Sequence, residues 1–171
     1  MRTWRSGAQG LDLCLLFLAF SSGCGYSLGY RSPAQVKTVA VPIFTNTTFP
    51  LRRDVEFELT SAFRQELQAR SGLVLVDERS APDLVVRGRI TEFREWVVAE
   101  GGDDRKTESS VVATVVLEVE NYLQGIREEL PPVSDVEPFS IEAGQGFALG
   151  RVRAIRNLAE KLVIALEDWE G

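Results

Sequence analysis

The chain has 171 residues with 19 Lys+Arg, 25 Asp+Glu and no histidine, for a net charge of −6. An acidic chain without a dense basic stripe is a poor nucleic-acid binder, because phosphate neutralisation supplies most of that affinity. The missing histidine excludes Ser-His and Cys-His nucleophile systems and the commonest metal ligand. Hydrophobic residues at 44% and charged residues at 26% describe an ordinary globular chain long enough for one core.

Arg2 and Arg5 form a positive start, followed by the apolar stretch Leu13-Cys-Leu-Leu-Phe-Leu-Ala-Phe20. That length suits a secretion signal and is too short for a transmembrane helix of roughly 20 residues. Ser21, Ser22 and Gly23 then precede Cys24. Small residues before a cysteine resemble the lipobox of bacterial lipoproteins, in which the thiol is alkylated by a diacylglycerol and the chain is cut just before it. Residues 1–23 are therefore expected to be a lipoprotein signal, Cys24 the lipidation site, 24–35 a tether and 36–171 a single domain. An ordinary cleaved signal leaving Cys24 as a free thiol is the alternative. Cys14 lies in the signal, so no intramolecular disulfide or thiolate metal cluster is expected.

Val36 to Phe44 is rich in β-branched residues and predicts a strand, with Val39, Val41 and Ile43 on one face. Asn46-Thr-Thr-Phe-Pro50 reads as a polar turn. From Arg53 to Arg70 the period changes: Val55, Leu59, Ala62, Phe63 and Leu67 recur at helical spacing, and Ser71-Gly72 stops the helix. Leu73 to Val76 predicts a short strand. Leu84 to Val98 predicts a long one, its Leu84, Val86, Gly88 and Ile90 opposed to Val85, Arg87, Arg89 and Thr91, with a bulge at Glu92-Phe93. Gly101 to Asp104 predicts a hairpin turn. Ser109 to Leu123 returns with Val111, Ala113, Val115, Leu117 and Val119 facing inward and Thr114, Glu118 and Glu120 outward. Leu130-Pro-Pro132 breaks the pattern, and Val133 to Ile141 is a further candidate edge strand. Phe147 to Trp169 predicts a helix with Val152, Ile155, Leu158, Ala159, Leu162 and Leu166 on one stripe. The expected class is α+β, a two-layer sandwich with both amphipathic helices on one face of a mixed, mostly antiparallel sheet of four to five strands.

The opening Cys24-Gly-Tyr-Ser-Leu-Gly-Tyr30 resembles the start of mature lipopolysaccharide-assembly lipoproteins, the LptE family. Val36-Lys-Thr-Val-Ala-Val-Pro-Ile-Phe-Thr-Asn46, Glu56-Phe-Glu-Leu-Thr60 and Arg153-Ala-Ile-Arg-Asn-Leu-Ala-Glu-Lys-Leu162 are similar to the non-enterobacterial branch of the same family. The resemblance implies two helices on a mostly four-stranded sheet. It implies a non-enzymatic protein with no cofactor, lipid-anchored at the periplasmic side of the outer membrane. There it would plug and help assemble a large β-barrel translocon that exports lipopolysaccharide to the outer leaflet. Gly25 carries no acidic inner-membrane retention signal, which suits outer-membrane sorting. A different envelope lipoprotein of similar fold, a peptidoglycan-synthase activator or a secretion-pore subunit, is the alternative. The short tether favours work close to the membrane.

Arg87, Arg89 and Arg94 along one strand, with Arg105 and Lys106 at the next hairpin, are candidate contacts for lipopolysaccharide phosphates, since guanidinium pairs with phosphate through two hydrogen bonds. The plainer reading is a solvated sheet face. Thr45 to Phe49 is a candidate barrel contact or a simple strand-to-helix loop. Asn46-Thr47-Thr48 matches a glycosylation sequon by chance. Gly144-Gln-Gly146 and Gly150 lack the Lys-Ser/Thr of a phosphate loop. Asp103, Asp104 and Glu108 read as a solvated hairpin rather than a cation site, and Trp96 and Trp169 as packing residues.

Overall fold

A computed structural model of the chain describes residues 36–100, 106–140 and 146–169. The signal 1–23, Cys24, the tether, Asp103, Asp104, Arg105, Gly144 and Gln145 lie outside the described residues, as does the side chain of Lys106. The elements are β1 Thr38–Ala40, β2 Thr45–Asn46, α1 Val55–Arg70, β3 Val74–Leu75, β4 Leu84–Glu100, β5 Lys106–Asn121, β6 Ile126–Glu129, β7 Val133–Ser140 and α2 Phe147–Glu167.

The sheet runs β3-β1-β4-β5-β6, with β2 also on β4 and β7 also on β5. β1 and β2 are two pieces of one outer position, because Val39 pairs with Leu84 and Thr45 with Arg89 along the same side of β4. β6 and β7 likewise share one side of β5, joined through the Leu130 N–H to Leu117 carbonyl bond of 2.8 Å. Seven short or long strands thus occupy five positions, the mixed sheet and two helices that the hydrophobic patterning predicts. The β1 pairings with β3 and β4 are parallel; the β4–β5 hairpin is antiparallel.

Both helices cover one face and run parallel. Arg151 near the start of α2 bridges to Glu58 near the start of α1, and Arg70 at the end of α1 reaches Glu160 and Glu167 near the end of α2. Between helices and sheet lies one core. Val55, Leu59, Phe63 and Leu67 of α1 and Ile155, Leu158, Leu162 and Leu166 of α2 meet Leu84, Val86, Ile90, Val111, Ala113, Val115, Leu117 and Val119. Each of the larger aliphatic side chains contributes about 1.5–3 kcal/mol by leaving water.

The structure differs from the sequence reading at four places. The first strand stops at Ala40, since Pro42 has no N–H for the ladder. Ile43 turns out to solvent and Phe44 turns in, its N–H on Thr60 Oγ1 at 2.9 Å and its ring 5.5 Å from that of Phe63. The bulge falls on Thr91, left unpaired between the pairs Ile90–Val115 and Glu92–Thr114. β6 is an additional strand whose four residues are all exposed, so it carries no apolar alternation. On α2, Val152 is 63% exposed and lies off the stripe. A β-carbon at Gly150 would sit 2.7 Å from the Phe139 ring, so the helix approaches the sheet along Gly150 and Ala154, which turns Val152 away.

Candidate functional site: the outer sheet face and the far loop

The face of the sheet away from the helices divides into two halves. Its lower half is an ion-pair lattice built by the strand register. Arg87 pairs with Glu118 across the β4–β5 ladder and stands beside Glu120, while Glu118 and Glu120 pair with Glu129 and Arg127 of β6. Arg87 donates to Glu120 at 2.7 Å and to Glu78 on the 3₁₀ turn Glu78–Ser80, and lies 3.8 Å from Glu118. Arg89 donates to Glu129 at 3.0 Å, and Arg127 makes a two-oxygen contact with Glu118 at 2.9 and 3.0 Å. The bond from Arg87 holds the Glu120 carboxyl below the usual carboxylate range, and Glu120 in turn raises the Arg87 guanidinium. Glu118 similarly raises Arg127.

The upper half is mixed. Arg94 pairs with Glu92 on its own strand and lies 4.4 Å from the Trp96 ring centre. Trp96 is 51% exposed, so it is a surface platform rather than the packing residue expected of it, because its register partner Ser110 puts it on the face that the helices leave open. Thr114 and Ser134, neighbours in register, exchange a hydrogen bond of 3.0 Å, and Val112 pairs with the exposed Val136 beside them.

The Thr45–Phe49 loop borders this half. It is built around Asn46, whose Nδ2 donates to the Arg52 carbonyl at 2.6 Å and to Glu56 at 2.9 Å, while its Oδ1 accepts from Thr48 N–H and Oγ1. Thr48 is buried by this arrangement, and Phe49, next in the chain, is 97% exposed. A cleft of about 380 Å³ lies between Phe49 and the strand residues Thr91 to Arg94 and Thr114. A second cleft of about 650 Å³, lined by Leu130, Pro131, Pro132, Val133 and Ala165, lies where the β6–β7 bend meets the end of α2. Trp169 packs there as expected, its indole N–H on Glu128 at 2.9 Å.

The three described basic candidates, Arg87, Arg89 and Arg94, therefore share one face, as predicted, and each already holds a carboxylate. The alternation marks Glu118 and Glu120 as outward-facing. Glu78, Glu129 and Arg127 complete the lattice from a turn and an edge strand, neither of which the sequence pattern connects to β4. Glu108 is exposed on β5. Among the described residues no group of three or more acidic, Cys or His side chains is placed to hold a metal, and no helix is long and apolar enough to cross a membrane.

The fold and its charged outer face define a small two-layer α+β domain with two parallel helices on one side of a mixed sheet. The family model for LptE, lipopolysaccharide-assembly, matches residues 36–166, and the chain belongs to that family. No curated protein sequence matches it. Among solved structures, the hypothetical protein CT253 from Chlamydia trachomatis is similar at a TM-score of 0.55 and 12% identity, over 77% of this chain and 96% of that one. Protein XCC0632 from Xanthomonas campestris is similar at a TM-score of 0.53 and 8% identity, over 82% and 89%. A minor lipoprotein from Acinetobacter baumannii overlaps at a TM-score of 0.48 and 18% identity, over 77% and 93%. At these identities the first two likenesses speak to the fold alone.

Proposed function

We propose that the protein is an outer-membrane lipoprotein, anchored through an acylated Cys24, that plugs and helps assemble the β-barrel translocon exporting lipopolysaccharide. The observation that carries this reading is the family match across residues 36–166, joined to the signal and cysteine at 1–24. The shape of the domain supports it. A body enclosed by a water-filled barrel meets polar walls, and the lower half of the outer sheet face is a lattice of arginine and glutamate. The protein acts by binding, with no catalytic step.

Direct contact with lipopolysaccharide phosphate is part of the proposal and falls on Arg89 and Arg94. Each has one carboxylate partner and a side chain more than 40% exposed, so either can exchange that partner for a phosphate. Arg87, held by three carboxylates, has the structural role of locking β4 to β5. Arg105 and Lys106 remain candidates at the hairpin between those strands.

The test is gentle detergent extraction of outer membranes carrying a C-terminally tagged copy, with mass spectrometry of the co-purifying proteins. A stoichiometric large β-barrel of the lipopolysaccharide-transport type is the expected result. Recovery of a peptidoglycan synthase or a secretion pore without such a barrel overturns the reading.

A further inference from the structure

We propose that the end of the sheet at which the chain enters β1 rests on a lipid surface, with the β5–β6 turn placing Leu123 in the headgroup layer. The inference rests on the lipid-anchor reading of Cys24 and adds a contact to it.

One end of the fold gathers the relevant residues. The Lys37 and Thr38 amides donate to Asp83 Oδ2 at 2.8 and 2.9 Å, and the Asp83 carbonyl accepts the Tyr122 N–H at 2.9 Å. On the other side, Val74 N–H donates to the Lys37 carbonyl at 2.9 Å. Val74, Lys37 and Tyr122 are thus contiguous across four strands, at the point from which residues 24–35 lead back to Cys24. Twelve residues span at most about 40 Å, whatever their conformation. β4 and β5 run from this end to a tip about 50 Å away at roughly 3.3 Å per residue over the 17 residues of β4. An acylated Cys24 therefore holds this end near the bilayer and lets the far end stand off.

The β5–β6 turn at that end is prefolded. Asn121 is buried, and its Oδ1 accepts the N–H groups of Leu123 at 3.0 Å and Gln124 at 3.2 Å. Gly125 closes the turn at φ 69°, its N–H on the Asn121 carbonyl at 2.8 Å. The side chain that would normally hide an apolar tip is spent inward, and Leu123 is held outward at 49% exposure between Tyr122 and Ile126. Among the described residues Leu123 and Ile126 stay open to solvent, while Tyr122 lays its hydroxyl on Arg87 and Glu120 at the edge of the ion-pair lattice and leaves its ring half exposed. Tyrosine beside aliphatic residues, with a lysine able to extend its ammonium to phosphate, is the chemistry of a membrane–water interface. Without residues 1–23, which carry Arg2, Arg5 and Asp12, the side chains hold 17 Lys+Arg against 24 Asp+Glu, a net charge of −7, so the contact depends on apolar insertion and the tether rather than on anionic lipid. A plug seated in a barrel still presents this end at the mouth on the side of the leaflet that holds the anchor.

The mature acylated protein has no free thiol on this reading, so Leu123→Cys and Phe49→Cys each introduce one labelling site, the second beside Thr91 to Arg94, roughly 25 Å along β4 from the anchored end. Nitroxide-labelled protein is bound to vesicles of phosphatidylethanolamine and phosphatidylglycerol, and collisions with oxygen and with a water-soluble nickel chelate are compared. The expected result is a severalfold excess of oxygen over nickel collisions at position 123, reversed at 49. Aqueous behaviour at 123 in vesicle-bound, acylated protein overturns the inference and leaves the anchor standing. An intact mass without acyl chains overturns the anchor reading, and this inference with it. Ile126→Cys repeats the measurement should the label at 123 disturb the turn.

Discussion

Gly88 sits between Arg87 and Arg89 and points at the core, where a β-carbon would lie 2.5–2.6 Å from three carbons of the Phe44 ring. Carbon atoms pack at about 3.5–4.0 Å, so Gly88→Ala must move the ring by about 1 Å. The ring has little room to retreat. Its backbone N–H is fixed on Thr60, and its far side meets Phe63. Overpacking of this kind costs about 1–3 kcal/mol, offset by about 0.5–1 kcal/mol from the lower chain entropy of alanine. The expected net loss is about 1–2 kcal/mol, which urea denaturation followed by circular dichroism reads as a midpoint lower by about 0.5–1 M. Phe44→Leu removes the flat ring, and in that background Gly88→Ala is expected to cost at least about 1 kcal/mol less. An equal cost in both backgrounds, or none in the first, refutes the argument that the glycine exists to admit Phe44.

Asp135 is 5% exposed, with Oδ1 on Lys161 at 2.6 Å and Oδ2 without a partner. Lys161→Met is expected to destabilise by about 1–3 kcal/mol, and adding Asp135→Asn to recover part of it in thermal melts. Asn121→Ala removes the bonds that fold the β5–β6 turn and is expected to speed amide exchange at Leu123 and Gln124 while leaving the β4–β5 ladder protected. Asp83 is held below the usual carboxylate range, chiefly by the Lys37 and Thr38 amides. A lowered folded value means its contribution is present above the ordinary carboxylate pKa and fades as pH falls through the folded one. Asp83→Asn should therefore reduce stability at neutral pH and narrow its gap to the parent on acidification; a gap constant down to acid pH sinks this assignment. Arg89→Ala with Arg94→Ala is expected to weaken lipopolysaccharide retention in detergent pull-downs severalfold, with Arg87→Ala lowering stability instead.

Much of this architecture is legible in the residue pattern because the core-facing positions obey a period. Val55 to Leu67 and Ile155 to Leu166 keep helical spacing, and Val111 to Val119 alternate without a break. The unread parts are those in which a polar or backbone interaction overrides the period. Pro42 ends β1 at Ala40, four residues short of Phe44, and Gly150 turns α2 about its axis so that Val152 faces water. β6, Ile-Arg-Glu-Glu, has no buried side chain and so no signal at all. The outward arginines were readable from alternation with Val86 and Ile90. Their neutralisation was not, because it depends on which strand lies next to β5. Nor does composition reveal the display of Phe49, which follows from the hydrogen bonds that fold Asn46 and Thr48 inward.

The interruptions of the outer strands bear on what happens when many copies meet. β3 has two residues, β6 has four, and the latter carries Arg127, Glu128 and Glu129. Pro131 and Pro132 separate β6 from β7, and Pro138 removes a donor within β7. A growing fibril needs a long, flat, unpaired ladder on which to add identical chains, and proline and charge deny it. The same breaks that obscure the edges in the sequence thus protect the folded domain from edge-to-edge aggregation when copies crowd together.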